Sequence, residues 1–117
     1  MKSKNVKLLH LNKTLRRVAK ANASPIWDEV RERLMTPKRR RIAVNISRID
    51  RYTEEGDTVV VPGKVLSAGT LNHRVVVAAY DFSSKALEKI LNSGGQAISI
   101  EELMKKNPRG SGLKLIT

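Results

Sequence analysis

Apolar residues near the start of the chain recur at intervals of three and four, the spacing that gathers side chains on one face of an α-helix. The first stripe of this kind consists of Leu8, Leu11, Leu15 and Val18. It predicts an amphipathic helix over residues 5–21, because the polar Asn22 takes the next position of the stripe. Ser24 and Pro25 then predict the N-cap and the first residue of a second helix. This helix should end before Pro37, because proline disfavours helical backbone in the residue that precedes it.

Later in the chain the apolar positions form short runs that are typical of β-strands. Strands are predicted over residues 58–61, 74–80, 97–100 and 113–116, and Ile42, Val44 and Ile46 alternate in the same way. The strand over residues 58–61 should stop at Pro62–Gly63. The run over residues 74–80 is β-branched and nearly continuous, which indicates burial on both faces. Two short helices, one capped by Ser83 or Ser84 and one by Ser99, should separate the later strands.

The two patterns together predict an α/β protein with a single structural domain overall. Residues 1–51 should form a basic, helix-rich N-terminal extension, and residues 52–117 a compact strand-rich domain with two helices. The extension should pack on this core, because the apolar faces of its two helices must be buried somewhere. Trp27 shares its part of the second helix with apolar neighbours, so we expect it in the core rather than stacked on a base.

The charge of the chain is concentrated in its first half. Residues 1–51 carry fifteen Lys and Arg against four Asp and Glu, whereas residues 52–117 carry eight against seven. Residues 1–27 contain no acidic side chain at all. Basic residues at this density repel one another unless a polyanion neutralises them, and binding to nucleic acid also releases condensed counterions. The charge therefore predicts a nucleic-acid-binding protein whose first half faces the nucleic acid.

The candidate contact residues are cations that lie away from the apolar stripes. On the first helix they fall on the face opposite the leucines, and a run of four consecutive cations follows the second helix. The candidates are Lys13, Arg16, Arg17, Lys20, Lys38, Arg39, Arg40, Arg41 and Arg48. The alternative interpretations are a solvated face for the helix, and a solvated loop or a localisation signal for the run. The lack of nearby acidic partners favours phosphate contacts.

The residues that catalysis or cofactor binding would need do not occur in a suitable arrangement. The chain has no cysteine, and His10 and His73 have no ligand partner at a metal-site spacing. The stretch over residues 62–71 resembles a phosphate-binding loop, but the spacing of its glycines and the position of Lys64 are wrong. We therefore expect no enzyme, no metal, no cofactor and no small-molecule substrate. The apolar runs are too short to span a membrane, and a cytoplasmic protein is expected.

The scarcity of aromatic residues limits how a nucleic acid could be recognised. Proteins that read single strands stack bases on aromatic side chains, and aromatics are only 3% of this chain. The first helix carries cations rather than the mixture of Asn, Gln and Arg that is common on recognition helices. The composition favours backbone and shape recognition of structured RNA, or non-specific binding to duplex DNA.

Several motifs resemble a family of ribosomal proteins. Five segments look like the signature shared by large-subunit protein fifteen and its archaeal–eukaryotic relative, protein "eighteen-e". They are Lys64–Leu71, Val75–Ala79, Phe82–Ala86, Lys89–Ile90 and Gly94–Gly95. Leu34–Arg41 and Val44–Ile49 are similar to motifs of the eighteen-e branch, and the Asn107–Ser111 ending also fits. That branch often has proline or another small residue where Ile42 stands. The short chain is similar to the archaeal form.

The resemblance implies an irregular superhelix of short β-β-α units with a basic helical N-terminal extension. It implies a structural constituent of the large ribosomal subunit, bound to large-subunit rRNA and neighbouring ribosomal proteins in the cytoplasm, without catalytic activity. Lys64 joins the candidate RNA contacts because it opens the shared motif, and Gly63 and Gly69 would be tight turns. A free nucleoid or duplex-DNA-binding protein is the alternative that the net charge of +12 allows equally well. The order of the motifs favours the ribosomal family.

Overall fold

The computed structural model describes residues 3–36 and 42–117, and within these ranges the chain forms a mixed α/β fold with five helices and five strands. The elements are α1 (Ser3–Ala21), α2 (Pro25–Leu34), β1 (Ile42–Asn45), α3 (Ile46–Tyr52), β2 (Thr58–Leu66), β3 (Val76–Phe82), α4 (Ser84–Asn92), β4 (Gln96–Ser99), α5 (Ile100–Lys106) and β5 (Lys114–Leu115). The predicted α/β class is confirmed. The superhelix of β-β-α units that the resemblance implies stays a prediction.

The five strands form one parallel sheet. Four of them follow the order β1–β2–β3–β4, and β5 pairs with β2. β2 pairs with β3 along one edge, and its other edge is shared by two strands. β1 pairs with the second half of β2, from Gly63 to Leu66, and β5 pairs with Val59 and Val60 in the first half. β2 is therefore the central strand, and it holds both the N-terminal and the C-terminal strand in place.

The sheet separates two hydrophobic cores, one on each face. Because successive side chains on a strand point to opposite faces, Val60 and Ala78 pack against α1, α2 and α5, whereas Val59 and Val77 pack against α3 and α4. Trp27 is fully buried in the first core, as the sequence predicts. Residues from both sides of position 51 contribute to the sheet and to both cores. The division of the chain into an extension and a core domain stays a prediction.

The strand predicted to stop at Pro62–Gly63 instead continues to Leu66. Between Val61 and Lys64 the register against β3 shifts, so a β-bulge lies at this point. A bulge tolerates proline because the missing N–H is not needed in the ladder. The prediction of a tight turn at Gly63 is also wrong. Gly63 pairs with Ile42 of β1, and a Cβ at this position would overlap the backbone carbonyl of Ile42.

The helix starts agree with the sequence predictions except in one detail. The Oγ of Ser83 accepts a hydrogen bond from the N–H of Ala86, and Ser99 forms a capping box with Glu102. α2 begins at Pro25 as predicted, but Ser24 makes no side-chain cap. Its hydroxyl donates instead to the carbonyl oxygen of Arg109, 2.9 Å away. Ser24 therefore joins the start of α2 to a segment near the end of the chain.

The helix α3 is an element that the sequence pattern did not predict. It has only seven residues, and Ile46 and Ile49 are its buried positions. So short a stretch contains too few repeats for a helical period to stand out. In the structure Ile46 and Ile49 pack under the sheet with Val59 and Val61, so tertiary contacts stabilise the helix.

Candidate nucleic-acid interface

The cations of α1 lie on the exposed side of a helix whose other side is held in the core. Leu11 and Leu15 are buried, and Leu8 and Val18 pack at the border of the same core. The cations on the opposite side are exposed, as the helical spacing predicts, and consist of Lys13, Arg16, Arg17 and Lys20. Within the part of the chain that the structure describes, none of the four forms an ion pair. Burial of the leucines therefore presents four uncompensated positive charges to solvent.

Two clefts border this cationic face, one on each side of α1. Arg16 and Lys20 line the cleft against α2, together with Asp28. The carboxylate of Asp28 is paired with the guanidinium of Arg31 at 3.0 Å, so its charge is already compensated. Arg17 lines the cleft against α5, and Lys105 lines the same cleft. The carboxylate of Glu101 lines this second cleft too, so Lys105 adds a cation next to Arg17 without making the cleft uniformly positive.

Lys105 and Arg109 are candidate contacts that the sequence analysis missed. They belong to the half of the chain with nearly balanced charge, and they are exposed. Lys105 faces the cleft that Arg17 also lines. The backbone of Arg109 is bonded to Ser24, which lines the cleft beside Arg16 and Lys20. No sequence signal places α5 next to α1, because the contact joins segments far apart along the chain.

The remaining predicted contacts do not all lie beside α1. Lys64 is exposed on β2 and lies 4.0 Å from the carboxylate of Asp81. Arg48 is exposed on α3, which packs on the opposite face of the sheet from α1. The structure therefore divides the predicted contacts between two sides of the molecule. The cationic run made of Lys38, Arg39, Arg40 and Arg41 lies outside the described residues.

The two histidines have different surroundings. His10 is exposed on α1, with its Nε2 4.0 Å from the carboxylate of Glu101. His73 is largely covered. Its Nε2 lies 2.7 Å from the hydroxyl of Thr53 and its Nδ1 3.3 Å from the carboxylate of Asp50, so it joins α3 to the loop before β3. Among the described residues, no group of three or more His, Cys, Asp or Glu is arranged to hold a metal ion.

None of the described helices is long and apolar enough to cross a membrane. The fold and the exposed cations define a small basic α/β protein with a positively charged helix face.

Comparison with known proteins gives the family. The family model for ribosomal proteins described as 60S L18 and 50S L18e matches residues 1–117. A large ribosomal subunit protein eL18 from Archaeoglobus fulgidus is 45% identical over 116 residues, which cover 99% of each chain. One from Pyrobaculum aerophilum is 44% identical over 112 residues, covering 96% of this chain and 92% of its own. The chain therefore belongs to the L18/L18e family of ribosomal proteins, and the resemblance drawn from its motifs is confirmed.

Proposed function

We propose that this chain is a structural constituent of the large ribosomal subunit, located in the cytoplasm, and that it binds folded large-subunit rRNA through phosphate and shape contacts. The observation that carries the proposal is the exposed, unpaired cationic face of α1 in a chain whose full length matches the family. Neighbouring large-subunit ribosomal proteins are its other partners. In this role the protein stabilises RNA structure and catalyses no reaction.

The fold supports phosphate binding because it fixes the orientation of the cations. α1 is anchored along its length by Leu11, Leu15 and Ala19, all of which lie in the core. The helix therefore cannot rotate to bury Arg16 or Arg17 without exposing leucines to water. Cations that are already oriented lose less conformational entropy when they contact phosphates. Each phosphate that they neutralise releases counterions and adds to the affinity.

The proposed RNA contacts are those predicted from the sequence. On α1 and on the other described elements they are Lys13, Arg16, Arg17, Lys20, Arg48 and Lys64, and the run from Lys38 to Arg41 completes the set. Lys64 should contribute less to RNA binding than the others, because the nearby carboxylate of Asp81 already compensates part of its charge. The α1 cations should contribute most, since the described structure offers them no acidic partner.

Cosedimentation of the endogenous protein tests the cellular role. In a sucrose gradient of a cell lysate, we expect the protein in the fractions that contain the large ribosomal subunit. RNase treatment should release it, whereas DNase treatment should not. A protein that leaves these fractions with DNase, or that sediments free of ribosomes, would instead be a nucleoid or other nucleic-acid-binding protein.

A matched pair of variants tests the surface. Arg17→Gln removes one exposed cation of α1, and Lys85→Gln removes one exposed cation of α4 on the opposite face of the sheet. If Arg17 contacts a phosphate, its variant should bind large-subunit rRNA more weakly, with a salt slope smaller by about one unit. The Lys85 variant should bind like the wild type. Equal effects of both changes would show that the binding depends only on net charge.

A further inference from the structure

The C-terminal end of α3 carries an aromatic ring that is exposed to solvent. Tyr52 is the last residue of this helix, and 51% of its surface is accessible. Of the four aromatic residues of the chain, all of which the structure describes, it is the one that is classed as exposed. Trp27 is fully buried, and Tyr80 and Phe82 pack at the borders of the two cores. Tyr52 thus leaves a large aromatic surface in contact with water, and no core contact explains it.

The ring of Tyr52 borders a notch of about 460 Å³ between α3 and β5. The residues that line the notch are Arg48, Tyr52, Lys114, Leu115, Ile116 and Thr117. Its volume is within the range of about 300–1,000 Å³ that is typical of small-ligand sites. The lining combines an aromatic ring, apolar side chains and two cations. This combination suits a ligand that has a flat apolar face and a negative charge.

Contacts within the protein hold the notch in shape. The guanidinium of Arg48 lies over the Tyr52 ring, 5.1 Å from its centroid, and its Nε donates to the carbonyl oxygen of Thr117 at 3.0 Å. The ammonium of Lys114 donates to the carbonyl oxygen of Tyr52 at 3.2 Å and pairs with the carboxylate of Asp57 at 2.9 Å. The hydrogen bond from Lys114 is the largest cause that lowers the pKa of Asp57. α3 and β5 are therefore tied together before any ligand binds.

The charge of the notch favours an anion. Lys114 is compensated by Asp57, whereas no Asp or Glu side chain among the described residues pairs with Arg48, whose Nε donates to a backbone oxygen of Thr117. Because Arg48 donates through Nε, its terminal nitrogens remain available to a ligand. An arginine stacked on an aromatic ring, with donors that match the geometry of a phosphate, is a common means of nucleotide recognition.

We propose that the notch binds one unstacked nucleobase of the RNA, with the exposed face of the Tyr52 ring stacked on the base and Arg48 contacting the adjacent phosphate. This inference rests on the proposed function, and it adds a second contact on the face of the sheet opposite α1. It also departs from the expectation that the chain recognises RNA by backbone and shape alone. One half-exposed tyrosine is sufficient, because every base has a flat face that can stack.

Stacking can be distinguished from phosphate binding by its salt dependence. We would measure binding of the full chain to in vitro transcribed large-subunit rRNA at several salt concentrations. Loss of one base stack typically weakens binding by about 5- to 140-fold, so we expect a loss in this range for Tyr52→Ala. The slope of log K against log salt should stay unchanged, because no counterion-releasing contact is removed. Tyr52→Phe keeps the ring and should bind like the wild type.

Two further variants separate stacking from effects on the fold. Tyr52→Leu keeps an apolar side chain but has no flat ring, and it should lose as much affinity as Tyr52→Ala. Leu91→Ala removes a residue on α4 that is 61% exposed, and it should change nothing. Melting temperatures of all variants show whether each is folded. A Tyr52→Leu protein that is folded and binds with wild-type affinity would overturn the inference, as would a reduced salt slope for Tyr52→Ala.

Binding of the wild-type chain distinguishes a failure of this inference from a failure of the proposed function. If the wild-type chain fails to bind the transcript, the proposed function itself is wrong. A second outcome is that the wild type binds, that Arg17→Gln weakens this binding, and that the Tyr52 variants bind like the wild type. That outcome would refute the stacking site alone and leave the proposed function intact.

Discussion

At the scale of single residues, the exposure of each leucine on α1 decides how much it contributes to the stability of the fold. Leu15 is completely buried between α1 and the sheet, whereas Leu9 on the same helix is 57% exposed. Both residues have the same intrinsic helix propensity, so a difference between their alanine variants would report burial alone. This pair therefore tests how α1 is oriented on the core.

We predict that Leu15→Ala lowers the free energy of unfolding by about 2–5 kcal/mol, because it removes buried methyl groups and leaves a cavity. Leu9→Ala should change it by less than about 0.5 kcal/mol. Chemical denaturation of both variants measures the difference. Similar stabilities of the two variants would show that the buried face of α1 has been assigned wrongly.

Alanine variants of two glycines near the end of the chain distinguish the effect of backbone strain from that of a steric overlap. Gly110 and Gly112 both have a φ of 73°, a conformation that residues with a Cβ rarely adopt. At Gly110 a Cβ would overlap the side chain of Ile26, whereas at Gly112 no atom lies within 4 Å of it. The two alanine substitutions therefore share the strain and differ in the contact.

Gly112→Ala should destabilise the protein by about 1–2 kcal/mol through backbone strain. Gly110→Ala should cost about 1–3 kcal/mol more, because Ile26 or the segment at residues 107–110 must shift. Thermal unfolding followed by circular dichroism provides the comparison. Equal losses would mean that the C-terminal segment is not packed on α2 as described.

At the scale of elements, the position of α5 beside α1 brings the lysine-bearing last turn of α5 next to the α1 cations. α5 follows β4 and packs on the same face of the sheet as α1 and α2. The indole N–H of Trp27 donates to the carbonyl oxygen of Asn107 at 3.0 Å, which joins α2 to the end of α5. This arrangement places Lys105 in a cleft with Arg17.

We predict that Lys105→Gln weakens binding to large-subunit rRNA and reduces the salt slope by about one unit. Lys105 lies in the last turn of α5, where a cation interacts favourably with the helix dipole, so the stability cost should be about 0.3–1 kcal/mol. Lys85→Gln again serves as the comparison, measured in the same titrations. A Lys105 variant with an unchanged slope would show that Lys105 lies outside the RNA surface.

The cationic run between α2 and β1 gives a separate prediction, made from sequence alone. Replacing Arg39, Arg40 and Arg41 with serine should weaken RNA binding by orders of magnitude, because up to three phosphate contacts are lost. The melting temperature should hardly change, since surface substitutions away from special features cost less than about 0.5 kcal/mol. A large loss of stability with intact binding would show that the run has a structural role instead.

At the scale of the whole molecule, exposed cations of the described residues lie on both sides of the sheet. The α1 cations lie on one side and Arg48 on the other, so one flat RNA surface cannot contact both. The molecule has principal extents of 35, 32 and 19 Å, which makes it thin enough for RNA segments to approach from both faces. We therefore expect one RNA segment to contact the α1 cations and another to contact Arg48 and Tyr52, with Lys85 of α4 outside both contacts.

A protein that contacts many phosphates should bind with a steep dependence on salt. We predict that log K for large-subunit rRNA falls against log salt with a slope of several units. Filter binding or fluorescence anisotropy between low and moderate salt gives the slope. A slope near zero would contradict phosphate-dominated binding, and with it the central role of the α1 cations.

The sequence by itself determined the features that depend on neighbours along the chain. The leucine spacing of α1 identified its buried face, because side chains three and four apart share one side of a helix. Ser99 was identified as an N-cap, and the other cap was narrowed to Ser83 or Ser84, because the capping hydrogen bond reaches only three residues ahead. The ordered motifs identified the family. Each of these signals is contained within a short stretch of sequence.

Only the tertiary structure decided which segments come together. β2 continues through Pro62–Gly63 because β1 and β3 supply hydrogen-bonding partners on both sides of the bulge. Lys105 joins the α1 surface, and Tyr52 borders a notch with β5, through contacts between segments far apart in sequence. Local periodicity fixes which face of an element is apolar, but it does not specify the element against which that face packs. That choice depends on the packing of all the apolar faces at once, which is a property of the whole chain.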